Sequence, residues 1–597
     1  MVIIPKPQEL VFFDGIHELK GKLVISKSNY QKVKKDIEFF ELDVEEVGTS
    51  KENIFFYESV NFKEEEYELL VDSAGIKIIS ASEQGRFRAL ASLKQILSQQ
   101  KNGGVQYLRI HDYPDIPIRG IMLFVKSNCI YSMETLCYII DRMAELKYNM
   151  LQLYFDTFVF EYDSFRKHLD GKVYYTKEEI YFIDKYCKER HIELMANVET
   201  FGHLTEFLDC EEFKHLGIPL PTRKPFTLNP LLDESFDVVK RLFDDLLPHF
   251  TSSTVNIGMD EPHGLGQHKT EDYCETFGVD RLFVEFLTKV SRYAKEKHGK
   301  KSMFWGDMAA KHPDCLKDIP DDVVYVDWGY EPGHNFDRNA IACKNAGLDF
   351  YVSPGTHNWG TISGRTDVMV QNIFSAAEAG RYYGATGFLL TDWTKTVTPS
   401  NSLLTYAFGG AFSWNSGYAK TFSEADNEAN CCFRYEVIND VLKYCDMFIY
   451  NSGEKSCAEL IYRMGNYWYL EQPASAATWN GTILSKYFFE NDDIYPPLTY
   501  DQLKRIHNYM SEIREEFEDV LLNGKNEELI RNELKTVCDT VLFAAEVLMK
   551  KFYKKLDYPE IDSESLVERY KLLHKMHSRL SGEAAIIERI RKWKTGA

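Results

Sequence analysis

The sequence predicts an α/β protein centred on a (β/α)8 TIM barrel, with a small α+β domain before it and an all-helical domain after it. Eight short apolar segments alternate with helical patterns over a little under 300 residues. A hairpin pattern precedes this run, and long helical patterns without strand signals follow it. Such a series of strand-and-helix units is typical of a barrel, whose chemistry occurs at the carboxyl ends of its strands.

The first domain is predicted over residues 1–115. The segments YELLV (67–71) and IKII (76–79) have strand character and flank a four-residue turn, which indicates a hairpin. Residues 82–99 place their apolar side chains on one helical face. Pro114 and Pro117 then disfavour a helix, so we interpret this segment as the linker to the barrel.

The barrel is predicted over residues 116–420 and the helical domain over 421–597. Barrel strands are expected at 121–125, 150–154, 193–198, 255–258, 302–305, 323–327, 348–352 and 387–391, and helices at 133–146, 177–189, 236–247, 279–297 and 367–381. Later helical patterns cover 435–450, 501–522, 527–551 and 564–580. We expect these last helices to pack together in a structural or dimerisation role, which makes a homodimer possible.

Composition narrows the classes of partner. The net charge of −21 disfavours nucleic acid and anionic membranes as partners, because their binding normally needs a surplus of lysine and arginine. No segment reaches the ~18–20 apolar residues of a membrane span, and the N-terminus does not resemble a signal peptide. The twelve cysteines are scattered, without metal-site spacing. We therefore expect a cytoplasmic protein with a neutral small-molecule ligand.

Acidic and aromatic residues follow the predicted barrel strands. In strand order from the second to the eighth they are Asp156; Glu199 and His203; Asp260 and Glu261; Trp305 and Asp307; Trp328 and Tyr330; His357 and Trp359; and Trp393. Four of the eight tryptophans thus lie at one end of one barrel. Carboxylates opposite an aromatic wall suit a sugar, whose CH faces pack on rings while polar groups hold its hydroxyls.

Each of these residues also has a simpler interpretation. An adjacent aspartate and glutamate often form a solvated turn or cap a helix, and a single tryptophan at a barrel mouth often only packs. His203 could be a hydrogen-bonded structural residue, or a metal ligand together with Glu199 and Glu261. No metal-binding spacing supports the last option, and we assign no metal.

Several motifs together resemble the β-N-acetylhexosaminidases of glycoside hydrolase family 20. They are IRGIML, LKYNMLQLYFD, VETFGH, NIGMDE, FWGDM and TDW, in consistent order over roughly the first 420 residues. The helical C-terminal region resembles an extra domain of a bacterial subgroup of this family. The resemblance implies a barrel enzyme that needs no cofactor or metal and acts on an oligosaccharide or glycoconjugate.

The resemblance also implies roles for the acidic residues. Glu261 corresponds to the general acid and base, and Asp260 to the residue that orients the substrate's 2-acetamido group, which attacks in place of an enzyme nucleophile. A general acid must be protonated near neutral pH, so we expect a raised pKa for Glu261. His203, supported by Asp156 and Glu199, corresponds to a polar relay to that glutamate.

Further positions correspond to sugar contacts. Arg119 matches an arginine that binds ring hydroxyls, and Trp305, Trp328 and Trp393 match walls around the sugar. We also assign Asp307, His357 and Trp359 to substrate binding. Trp359 occupies the usual place of a tyrosine that contacts the acetamido oxygen, so Tyr330 is our candidate for that contact and Tyr351 the reserve.

Four positions depart from the family pattern. Phe124 replaces an aspartate, Asn256 a histidine, Met259 a glycine and Lys395 a glutamate near the distal hydroxyls. We expect a retaining exo-β-N-acetylhexosaminidase that cleaves terminal β-linked GlcNAc or GalNAc. The alternatives are an enzyme selective for GalNAc or for a 6-modified, for example sulfated, GlcNAc, and a non-catalytic carbohydrate-binding barrel.

Overall fold

Eight parallel strands form a closed barrel at the centre of the chain. The computed structural model describes residues 1–19, 22–48, 52–100, 103–394, 398–421, 432–472, 481–490, 497–524 and 526–595. Strands adjacent in the chain pair side by side, and the last closes the barrel by pairing with the first. The predicted fold class is confirmed.

The barrel strands agree closely with the sequence patterns. They are Ile118–Val125, Met150–Phe155, Glu193–Val198, Thr254–Asn256, Lys301–Trp305, Val324–Trp328, Phe350–Ser353 and Gly387–Asp392. The fourth strand ends two residues before the predicted end. Gly258 and Met259 have φ values of +70° and +82°, which cannot continue an extended strand.

The larger helices around the barrel are Met133–Glu145, Lys177–Lys188, Asp233–Leu246, Val279–His298, Phe336–Ala346, Thr366–Tyr383 and Pro399–Trp414. Five of them were predicted. The helix Pro399–Trp414 was missed because all of its residues are buried, so it has no polar face and no amphipathic pattern. It packs between the barrel and the C-terminal helices.

The N-terminal residues form a five-stranded sheet with one helix against it. Its strands are Glu9–Glu18, Ile54–Glu58, Tyr67–Asp72, Gly75–Ser80 and Gly104–Asp112, and the helices of this region are Lys27–Phe39 and Glu83–Ser98. Two shorter strands, Leu23–Ser26 and Val44–Val47, pair with each other. The predicted hairpin is present. The predicted helix is present too, and the Ser82 hydroxyl caps it by accepting the Gly85 N–H at 3.0 Å.

The C-terminal region is helical. Its helices are Glu436–Tyr444, Cys457–Met464, Ile483–Glu490, Tyr500–Glu518, Glu527–Leu548, Ser563–His577 and Ala585–Thr595. The predicted helix over 564–580 ends early, because Ser578–Leu580 pairs as a strand with Cys129–Tyr131 beside the barrel. A partner so distant in the chain leaves no local pattern.

One continuous hydrophobic core includes residues of all three regions, from Ile3 to Ile590. A second, smaller cluster fills the barrel interior with methionine, aromatic and aliphatic side chains. The flexible methionines fill the irregular space between larger rings. Within the described residues, every helix is too short or too polar to cross a membrane.

Candidate active site

A cavity of about 410 Å³ opens at the carboxyl ends of the barrel strands. It is lined by Phe124, Tyr154, Asp156, His203, Asp260, Glu261, Trp305, Trp328, Tyr330, Trp359 and Trp393. Most residues predicted for the site therefore meet in one place. Acidic groups and His203 supply its polar part, and seven aromatic rings supply the remainder.

The turn that presents the two acids has an unusual backbone. Glu261 has a φ of +46°, and Gly258 and Met259 before it are also positive. The Asn256 side chain accepts the Gly258 N–H at 3.0 Å, and the Asp307 carboxylate accepts the Glu261 N–H at 3.3 Å. Left-handed residues other than glycine are costly and concentrate at functional sites. Asp307 thus supports the turn from behind and does not line the cavity.

Two glycines allow the neighbouring loops to meet. A Cβ atom at Gly202 would lie 2.2 Å from the carbonyl oxygen of Asp260. A Cβ atom at Gly258 would lie 2.3 Å from Oε2 of Glu199. The loops after strands three and four therefore approach too closely for any side chain at these positions, which explains the glycines of VETFGH and NIGMDE.

His203 lies between the two acids. Its Nε2 is 3.1 Å from Oδ2 of Asp260 and 3.3 Å from Oε2 of Glu261. Burial favours a neutral imidazole, but the charge of Asp260 and the close contacts with both carboxylates outweigh it and raise the pKa of His203 to about 11. The ring is therefore an imidazolium at neutral pH.

The same contact determines the ionisation of Glu261. The close contact with His203 lowers the pKa of Glu261, against the effect of burial. The predicted raised pKa of Glu261 is therefore wrong for this arrangement. The proton that a general acid needs is held by the neighbouring imidazole.

The rest of the predicted relay is arranged differently from the expectation. Among the described residues, Asp156 is not within ion-pair distance of His203, and its carboxylate accepts the Thr157 N–H at 2.8 Å. Glu199 is buried, and burial together with the charge of Asp260 raises its pKa well above the ordinary value. The neutral form of Glu199 is therefore favoured, and among the described residues neither of its carboxyl oxygens has a hydrogen-bond partner.

Aromatic rings form the walls of the cavity. The indole N–H of Trp393 donates to the Tyr330 hydroxyl at 2.8 Å, and the rings of Tyr330 and Trp359 meet edge to face at 4.9 Å. Burial raises the pKa of Tyr330, so its hydroxyl keeps its proton. Tyr351, the reserve candidate, lies in the barrel interior against Gly387 and does not line the cavity.

Two lining residues were not assigned to the site from the sequence. Phe124 and Tyr154 are register partners on strands one and two, and their rings lie 5.5 Å apart. Trp393 contacts both, at 5.6 Å from Phe124 and 4.8 Å from Tyr154. Alternation along the strands could have found them, because Met122 and Phe124 share one inward face.

The assignment of Arg119 to substrate binding is wrong. Arg119 is at the amino end of its strand, opposite the cavity, and only 1% exposed. Both Glu65 carboxylate oxygens accept from Nη2 at 2.7 Å, and the Lys147 carbonyl accepts from Nε at 3.1 Å. Its guanidinium also lies over the Trp414 ring. Arg119 joins the N-terminal sheet to the barrel.

His357 is also placed behind the cavity wall. It is fully buried and stacks on Trp359 with 5.6 Å between the ring centroids. Burial and the charge of Arg365 lower the pKa of His357 to about 3, so the ring is neutral. It supports Trp359 and does not face the cavity.

Lys395, which departs from the family pattern near the distal hydroxyls, lies outside the described residues.

Two family models match consecutive parts of the chain. Residues 1–113 match glycosyl hydrolase family 20, domain 2, and residues 117–359 match the glycosyl hydrolase family 20 catalytic domain. The chain belongs to glycosyl hydrolase family 20. The family 20 catalytic match includes every residue that lines the cavity except Trp393.

The family 20 relatives are distant. A β-hexosaminidase of Porphyromonas gingivalis is 24% identical over 404 residues, which are 59% of this chain and 50% of that protein. A β-hexosaminidase of Vibrio furnissii is 22% identical over 401 residues, 59% of this chain and 63% of that protein. The matched part of the chain thus spans half to under two thirds of these relatives' length.

The fold similarity extends further along the chain. A chitobiase structure from Flavobacterium johnsoniae aligns with a TM-score of 0.60 at 18% identity. The alignment covers 99% of this chain and 98% of the chitobiase chain. The shared fold therefore includes the helical C-terminal region.

Proposed function

We propose that this chain is a retaining exo-β-N-acetylhexosaminidase, which removes terminal β-linked GlcNAc or GalNAc through an oxazolinium intermediate. The observation that supports this most strongly is the pair Asp260 and Glu261, both within 3.3 Å of one imidazole nitrogen in a tryptophan-walled cavity. The relatives' name, β-hexosaminidase, agrees with a hexosamine substrate.

In this mechanism the proton moves through a short path. Glu261 takes the proton of His203 across 3.3 Å and donates it to the glycosidic oxygen as that bond breaks. Asp260 orients the acetamido group, whose oxygen forms the new bond to the anomeric carbon. Water then attacks the anomeric carbon and breaks its bond to the acetamido oxygen, while Glu261 accepts the proton of the water and passes it back to His203. Two inversions at the same carbon give retention.

The cavity favours one neutral sugar unit. Its volume of about 410 Å³ is in the lower part of the range for ligand pockets, roughly 300–1,000 Å³, so it suits an exo-acting enzyme. Among the described residues, its lining includes three carboxyl groups and no lysine or arginine. A sulfate at C6 would therefore meet negative charge, and the sulfated substrate is the less favoured alternative.

Hydrolysis of p-nitrophenyl glycosides tests the proposal. We expect release from the β-GlcNAc or β-GalNAc compound, none from the β-glucoside, and the β-anomer as first product by NMR. Glu261→Gln should lower kcat about 10²- to 10⁴-fold, the usual contribution of a general acid. Sugar binding without any hydrolysis would instead indicate a non-catalytic carbohydrate-binding barrel.

A further inference from the structure

We propose that the C-terminal helical region shapes the catalytic cavity by holding the strand-seven loop, residues 354–365, and that Arg365 is a positioning residue for the Trp359 wall. The inference rests on the proposed function in so far as one of its readouts is hydrolysis. It assigns a role in the site to residues that do not line the cavity.

The strand-seven loop connects the strand Phe350–Ser353 to the helix Thr366–Tyr383 and supplies Trp359 to the cavity. Its first part is attached to the barrel. The Asn372 side chain accepts the Gly355 N–H at 3.0 Å, and the Thr391 carbonyl accepts the Thr356 N–H at 3.0 Å. These bonds fix the loop before Trp359.

The second part of the loop is attached to the C-terminal helices. The Gly360 carbonyl accepts the Thr482 N–H at 3.0 Å, and the Ser485 hydroxyl accepts the Ile362 N–H at 3.0 Å. The Ser363 hydroxyl donates to the Met464 carbonyl at 2.9 Å. Residues 361–366 are buried, so without these partners several polar groups would lack hydrogen bonds.

Arg365 joins three parts of the molecule. It is 7% exposed and binds Glu331 with two hydrogen bonds, of 3.0 and 3.2 Å. Its guanidinium lies 5.3 Å from the ring centroid of Trp468 in the C-terminal region. A forked guanidinium contact fixes orientation as well as distance.

This contact reaches the cavity through neighbouring residues. Glu331 directly follows Tyr330, and the Tyr330 and Trp359 rings meet at 4.9 Å. Arg365 is six residues after Trp359 on the same loop. It therefore determines how two walls of the cavity meet, although it does not touch the cavity itself.

Kinetics of Arg365→Met and Arg365→Lys test this role. We expect KM for the p-nitrophenyl substrate to rise about tenfold in Arg365→Met with kcat within about twofold, since a misplaced wall weakens sugar binding more than proton transfer. Arg365→Lys retains the charge but not the forked pair of hydrogen bonds, so its KM should lie between those of the wild type and Arg365→Met. If Arg365→Met is insoluble, Ser363→Ala, which removes one loop contact, should show a smaller rise in KM.

Arg463→Met is the matched control. Arg463 forms a similar two-bond pair with Glu516, at 2.7 and 2.8 Å, on the helix that includes Met464. We expect this variant to lose stability without a change in KM. An Arg365→Met variant that only loses stability, with KM unchanged, would overturn the proposal.

A second readout does not need catalysis. Acrylamide quenching of Trp359, taken as the difference between each variant and the same variant with Trp359→Phe, should increase in Arg365→Met and not in Arg463→Met. If the wild type hydrolyses no hexosaminide, the proposed function fails, while this measurement still decides the positioning role. Equal quenching in the wild type and Arg365→Met would refute that role.

Discussion

At the scale of single residues, one imidazole nitrogen determines the ionisation of the site. His203 lies within 3.3 Å of both Asp260 and Glu261, and the His203 backbone is held at a φ of +57°. The pair formed by His203 and Glu261 holds one proton, which is mostly on the imidazole. In the proposed mechanism the active form has that proton on Glu261, so kinetics should report the pKa values of the pair rather than of either residue.

The first prediction concerns the pH profile of His203→Phe. In the wild type the shared proton leaves only near the raised pKa of His203, about 11, so the alkaline limb of kcat/KM lies at high pH. Without the imidazole a carboxyl group alone holds the proton and loses it at much lower pH. We expect the alkaline limb to move down by several pH units.

His263→Phe is the control for that shift. Its Nε2 is 3.9 Å from Oε2 of Glu261, but burial lowers the pKa of His263, so it is neutral near pH 7. Its removal should leave the alkaline limb in place. A His203→Phe profile that superimposes on the wild-type profile would disprove the proposal that His203 and Glu261 share one proton.

The second prediction compares two glycines with nearly equal φ angles. Gly258 has a φ of +70° and Gly171 a φ of +71°, but only a Cβ atom at Gly258 would meet another group, the Glu199 carboxylate at 2.3 Å. Gly171→Ala should cost about 1 kcal/mol of unfolding free energy for its strained φ. Gly258→Ala should cost clearly more and also lower kcat, as measured by chemical denaturation and hydrolysis. Equal losses in the two variants would mean that the close approach to Glu199 is unimportant.

At the scale of elements, the sequence located most strands and helices of the barrel, because the spacing of apolar residues that marks each one depends only on neighbouring residues. Two of the missed elements lack such a local pattern. The helix Pro399–Trp414 is buried on every side, and the strand Ser578–Leu580 depends on a partner in the barrel. In the site, most residues predicted at strand ends line the cavity, although Asp307 and His357 lie behind it. Phe124 and Tyr154 were not assigned, since their role depends on which face of the strand points inward.

The third prediction concerns the junction between the N-terminal sheet and the barrel. Arg119→Met leaves Glu65 buried with Arg88 as its remaining cation, and breaking such a buried pair costs about 3–5 kcal/mol. We expect a large loss of unfolding free energy and an unchanged KM. Arg109→Met, which breaks a more exposed pair with Glu68, should cost about 1 kcal/mol or less. A stable Arg119→Met variant with a raised KM would restore the sugar-binding assignment.

At the scale of the whole molecule, the C-terminal region is structurally continuous with the barrel. Its helices share the hydrophobic core of the barrel. Buried polar groups also join the two: Glu533 accepts the Ser400 N–H at 2.9 Å and lies 2.8 Å from Nε2 of His577, whose Nδ1 is 3.0 Å from the Thr135 hydroxyl. The barrel and the helices therefore depend on each other for stability.

The fourth prediction is that a chain ending after residue 420 will not fold into an active enzyme. Removing the C-terminal region would expose the buried helix Pro399–Trp414 and leave the strand-seven loop without its partners. We expect insoluble or molten protein with no hydrolysis, measured by solubility, circular dichroism and activity. A soluble, active fragment would contradict the shared core. The predicted homodimer is accordingly best examined by light scattering on the full chain.

The sequence by itself determined the order of the barrel strands and the position of the Asp260–Glu261 pair, because strand periods and strand ends are local features. Only the tertiary structure decided that Arg119 faces away from the site, that the proton is on His203 and that the C-terminal helices hold the Trp359 loop. These depend on contacts between residues far apart in the chain, and their burial and charge arise only when the chain has folded.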